Sequence, residues 1–157
     1  MRRILKFAHT VGAVGLLGAM AALLVALIQM RGVESSTDMY LVVSLMDRIA
    51  RWILLPSLGL TLVSGLLAMA AVPAYHGAGW VWAKLATGVL TFEGSLMAIQ
   101  GPVQSLAEEA AMSATASAAY VIPPDQMDAL HGSLVTLMAV AVVNIALGIW
   151  RPRKRVR

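Results

Sequence analysis

The stretch FAHTVGAVGLLGAMAALLVALI, residues 7–28, decides the fold, because it is apolar from end to end apart from His9 and Thr10. A hydrocarbon core of about 30 Å needs about 20 such residues in a helix, so Phe7–Ile28 reads as a membrane span. Three further apolar runs follow: Trp52–Val72, Trp80–Ile99 and Leu130–Ile149. A transmembrane barrel would instead alternate polar and apolar residues in segments of about ten. The expected fold class is therefore all-α, one integral-membrane four-helix bundle over residues 1–157. Arg2, Arg3 and Lys6 before the first run imitate a secretory leader, but the run continues to Ile28, too far for a signal core, and it reads as a retained helix.

Charge between the runs sets the expected topology. The amino end carries Arg2, Arg3 and Lys6 and the carboxyl end Arg151, Arg153, Lys154, Arg155 and Arg157. The connection between the third and fourth runs holds Glu108, Glu109, Asp125 and Asp128 without Lys or Arg. The positive-inside rule then places the N and C termini in the cytoplasm, with four spans in a bacterial-type inner (cytoplasmic) membrane. The net charge of +4 is thus an orientation signal. The basic tail faces anionic lipid headgroups of the bilayer, and no nucleic-acid partner is expected.

Connections differ in kind. Pro73 to Gly79 reads as a tight inner turn. Residues 35–51 and 103–120 read as external helical connections: Ser35-Ser36-Thr37-Asp38 offers N-cap oxygens, Asp47 and Arg51 stand four apart, and Pro56 should bend the helix that enters at Trp52. Gly101-Pro102 should interrupt the third helix, leaving 103–120 either upright beside the second helix or flat on the membrane surface.

Absence of cysteine rules out disulfides, thiolate metal sites, iron–sulfur clusters and covalently attached c-type haem. The ten methionines suit soft metal ions, though Met is also ordinary apolar filler. Function is then sought in ionisable residues inside the spans, His9, Lys84 and Glu93, since a charge near the bilayer centre costs about 2.5–3.5 kcal/mol on insertion scales.

Depth and angle sort them. His9 and Lys84 each lie a few residues in from the cytoplasmic side, at matching depth within a turn, so they can share a site. His131, near the outer end of the last helix, is more than about 10 Å from His9 along the membrane normal, and His76 in the inner turn is the better-placed second histidine. Glu93, nine residues beyond Lys84, falls on the opposite face of its helix and points to another helix or subunit.

Ala8, Gly12, Gly15, Ala19, Ala22 and Ala26 form a small-residue face on the first helix. This face permits close helix packing. Alternatively, Gly12 clears space beside a ligating His9 for a flat macrocycle.

Lys6-Phe7-Ala8-His9 with Gly12, Asp47-Arg48-Ile49-Ala50-Arg51-Trp52 followed by Pro56 and Ser64-Gly65, and Gly79-Trp80-Val81-Trp82-Ala83-Lys84-Leu85 together resemble a superfamily of small membrane proteins. It includes copper-resistance protein D, the four-helix haem-containing protoporphyrinogen oxidases and related uncharacterised membrane proteins. The resemblance covers roughly residues 4–90. It implies that His9 and Lys84, the latter in a Gly-Trp-x-x-x-Lys-like context with Trp80, carry the function of a haem-dependent oxidoreductase with Lys84 as catalytic residue. Together with the depth and small-residue arguments this gives an expected cofactor site of His9, Gly12, Trp80 and Lys84 for haem b, with His9 and His76, or a methionine in place of His76, as metal ligands. The oxidase branch, however, has a histidine further along the third helix, where this chain has Glu93, and copper-resistance protein D is longer.

Three readings stay open at this level: a b-type haem protein for redox chemistry or sensing, a transport component for copper or a small solute, and a non-catalytic scaffold subunit of a homo-oligomer or larger membrane complex.

Overall fold

A computed structural model describes residues 2–33, 35–73, 77, 79–116 and 120–149. His76 and the basic tail lie outside the described residues. Among those described there is no strand, and the helices join into four rods: α1 (Arg2–Met30), α2 (Ser36–Ile49) continuing into α3 (Leu55–Ala71), α4 (Gly79–Ser95) continuing into α5 (Gly101–Thr115), and α6 (Pro124–Ile149). Three stretches, Arg3–Met30, Ser36–Ala71 and Pro124–Ile149, are long and apolar enough to cross a membrane. The rod of α4 and α5 matches them in length but not in hydropathy, because Lys84, Glu93 and interspersed Gly, Ser and Thr dilute it. Of the four expected spans, three are thus long and apolar enough to cross a membrane.

Local chemistry explains the boundaries. Ser35 caps α2 by accepting the Asp38 N–H at 3.4 Å, and Asp47 pairs with Arg51 at 3.6 Å one turn later. Neither proline ends a helix, which corrects the expected interruption at Gly101-Pro102. A wide π turn, Ala50–Leu54, precedes Pro56, and a second, Leu96–Gln100, precedes Pro102. In each, an N–H bonds five residues back: Leu55 to the Ala50 carbonyl and Gly101 to the Leu96 carbonyl. The extra residue spreads the carbonyls where a ring without an N–H must fit, so the rod continues. The two π turns touch each other.

Packing is polarised along the bundle. Leu16, Met20, Leu23, Leu27 and Met30 on α1 interlock with Met39, Val43, Met46, Leu54 and Leu58, with Ile99, Val103 and Leu106, and with Leu130, Leu134 and Leu137. These residues recur at three- and four-residue steps, the stripe that a helix buries. Helix α5 stands upright against α2, which resolves the two placements open from sequence, while α1 packs on α3 and α4 on α6. Toward the other end, from Leu16 down α1 and from Leu58 down α3, this continuous core stops and the helix pairs enclose a cavity.

Arg31 at the end of α1 reaches Asp128 at the start of α6 at 2.9 Å, so α1 and α6 run antiparallel. The start of α1 and the end of α6 therefore share one end of the bundle. At the opposite end Tyr120 is pinned twice: its N–H donates to Ser36 Oγ at 3.2 Å and its phenol to Glu109 Oε2 at 3.1 Å. Burial first, then the hydrogen bond and charge of Glu109, push the Tyr120 phenol from 10.0 up to about 12. A raised folded-state value means that this tether contributes below the ordinary tyrosine range and is lost as pH rises through about 12. Ultraviolet titration should show one late tyrosinate in the native protein, absent in Tyr120→Phe.

Candidate functional site

Helix α1 meets α3 through small residues, and that contact places His9. A Cβ on Gly12 would stand 2.8 Å from the Thr61 nitrogen and 2.9 Å from the Ser57 carbonyl oxygen, and one on Gly15 would collide with the Ser57 hydroxyl. One turn before Gly12, the His9 ring lies against α3 with Nδ1 at 2.9 Å from the Thr61 carbonyl. A carbonyl can only accept, so Nδ1 carries a proton, and in the neutral ring Nε2 then keeps its lone pair. Ser64 Oγ, which gives its own proton to the Leu60 carbonyl, stands 3.3 Å from the same Nδ1. A Cβ on Gly65 would come to 3.4 Å from His9 Cε1. The glycine that makes room for the imidazole is therefore Gly65 on α3, whereas Gly12 faces the α3 backbone and lies outside the cavity lining.

The cavity has a volume of about 570 Å³ and opens between α1, α3, α4 and α6. That is within the range of about 300–1,000 Å³ usual for small-molecule and cofactor sites. Leu17, Leu62, Met69, Val81, Leu85 and Ile145 give it apolar walls, and His9, Lys6, Trp80, Lys84 and Asn144 supply its polar groups. His9 and Lys84, drawn from helices 75 positions apart in sequence, line one space. Within it the Lys84 Nζ stands 2.8 Å from where a Cβ on Gly148 would be.

Asn144 holds this corner together and was not singled out from sequence. Its Nδ2 donates to the Lys84 carbonyl at 3.2 Å and to Thr87 Oγ1 at 2.7 Å, tying α6 to the first turns of α4. Its signal was present as the lone amide within the run Leu130–Ile149. Interhelical hydrogen bonds in membranes average about 0.6 kcal/mol and reach about 1–2 kcal/mol in model peptides. Asn144→Leu should accordingly lower the unfolding free energy in detergent by about 1 kcal/mol, and thermal melts would detect it.

The remaining candidates lie elsewhere. His131 sits half-buried in the first turns of α6 and Glu93 is exposed on the outside of α4, and neither lines the cavity. Trp80 lines it, whereas Trp82 is exposed on the outer surface. Among the described residues no group of three or more His, Asp or Glu could hold a bare metal ion. What the site offers is a single oriented imidazole nitrogen beside two lysines. No family model, curated protein or solved structure matches this chain.

Proposed function

We propose that this chain is a multi-pass membrane protein that binds b-type haem in the cavity of His9 and Lys84, for redox chemistry or sensing. The observation that carries this reading is the His9 Nδ1–H bond to the Thr61 carbonyl. Such an outer hydrogen bond fixes the tautomer and ring orientation that a ligating imidazole needs and raises its basicity as a ligand. The rest of the donor set fits: apolar walls suit a macrocycle, and Lys6 and Lys84 at one end suit its propionates. Bound haem would supply one-electron chemistry. The protein's own part is to hold Nε2 toward the cavity, keep the walls dry and place two cations against anionic groups. In this reading Lys84 acts as the substrate-facing or propionate-pairing group and Trp80 closes the wall.

Protein purified in mild detergent and titrated with hemin should develop a Soret band that saturates at one haem per chain. Absence of a saturable band would overturn the haem reading and leave a scaffold or transport role. The proposed topology puts both termini and the cavity on the cytoplasmic side of the inner membrane. Ser113→Cys should label with an impermeant thiol reagent in intact cells while Arg155→Cys should not, and the opposite pattern would reverse the orientation. A scaffold role has one observation of its own, the outward face around Glu93.

A further inference from the structure

Exposed tryptophans mark two levels on the outer surface: Trp82 near the start of α4 and Trp52 in the first π turn are 53% and 74% exposed. Such rings gather at membrane–water interfaces. The π turn that carries Trp52 touches the one at Leu96–Gln100, so on the α4 rod the layer between the belts runs from about Trp82 to those residues. Glu93 lies inside it, eleven residues past Trp82, about 16 Å at the helical rise. Its side chain is exposed and makes no hydrogen bond or ion pair among the described residues. A carboxyl facing lipid at that depth is costly, so the face that carries it must be covered by something able to hydrogen-bond.

The surface next to it is shaped for close approach. A shallow groove between α4 and α6 is floored by Gly94, Ala98, Ala129 and Gly132, with Ser133 and Thr136 on its wall. Thr136 is exposed and its hydroxyl has no partner among the described residues. Met97, one turn beyond Glu93, projects with 78% exposure. Knob and hole thus occupy one patch: a carboxyl and a methionine that protrude, and a small-residue groove with an unused hydroxyl donor. A patch that carries both halves of a contact is self-complementary under a twofold axis, and small residues at the crossing are what membrane helix pairs use.

We propose that a second copy of this chain covers this face, with Glu93 and Met97 of each copy entering the α4–α6 groove of the other and the Thr136 hydroxyl donating to the Glu93 carboxylate across the interface. The proposal rests on the membrane-spanning reading and is independent of what fills the cavity.

Since the chain has no cysteine, single-cysteine variants in lipid bilayers test it cleanly without haem. Met97→Cys chains mixed with Gly132→Cys chains should form a disulfide-linked dimer, whereas Leu67→Cys on the exposed side of α3 should not. Glu93→Leu and Gly132→Leu should each weaken dimerisation about tenfold or more, equivalent to about 1.4 kcal/mol, with Glu93→Gln close to wild type. Nothing lies within 4 Å of a Cβ on Gly132, so a side chain there starts in open space, and an unchanged thermal melt in detergent would show that the monomer stays intact. A monomer at every lipid-to-protein ratio would overturn the proposal, as would a dimer indifferent to both Glu93→Leu and Gly132→Leu.

Discussion

His9→Ala should lose the Soret band that hemin gives with the wild-type chain, while the protein still inserts and melts as a helical bundle. Removing a residue that only orients a ligand typically costs about 10–100-fold in affinity, and removal of the ligand itself should cost about 100-fold or more in hemin affinity. The fold should tolerate the change, because His9 is only half-buried and lies beyond the end of the buried core of α1, which stops at Leu16. Added imidazole should partly restore the band by entering the space the side chain leaves. Lys84→Met should weaken binding less and leave the band in place, since it removes a charge near the propionates and not a bond to iron. A His9→Ala spectrum identical to wild type would remove His9 from the site, whatever else binds there.

Gly12→Val should be the most destabilising substitution on α1. The added carbons would meet the backbone nitrogen of Thr61 and the carbonyl oxygen of Ser57 at under 3 Å, and backbone cannot rotate away as a side chain can. Overpacking of this kind costs about 1–3 kcal/mol and occasionally more. It should also pull Thr61 away from His9, so hemin affinity should fall together with stability. Gly18→Ala is the control: nothing lies within 4 Å of its Cβ, and the exchange should be neutral or stabilising by up to about 1 kcal/mol through helix propensity. Thermal unfolding in detergent compares the two directly, and equal melting temperatures would refute the α1–α3 contact.

Much of the cavity could be anticipated from one helix at a time. His9 and Lys84 were paired by depth alone, which needs only the helical rise and the position of each residue in its run. Glu93 was set apart from Lys84 by angle, which needs only the turn per residue, and the structure has Lys84 lining the cavity and Glu93 on the outer face. The cap at Ser35 and the Asp47–Arg51 pair were legible because both are local contacts within a turn. Where partners lay on another helix, sequence reasoning missed. Gly12 stays open in sequence between close helix packing and clearing space beside His9, and only the structure sets it against the α3 backbone with Gly65 beside the imidazole; Asn144 is passed over, because its importance depends on Thr87 and the Lys84 carbonyl lying opposite.

Helicity, the predominance of apolar rods of membrane length and the scarcity of ionisable residues within them are all written in the order of residues. Periodicity, hydropathy and charge are properties of a single segment, and they act before any two helices meet. The tertiary structure decided how α1 and α3 interlock, that the rods continue through Pro56 and Pro102, and that the core is dense at one end and hollow at the other. Those outcomes depend on which side chain faces which across a gap of a few ångströms: a glycine opposite a backbone carbonyl lets two helices close, and a π turn can absorb a proline only where its neighbours leave room for the wider coil.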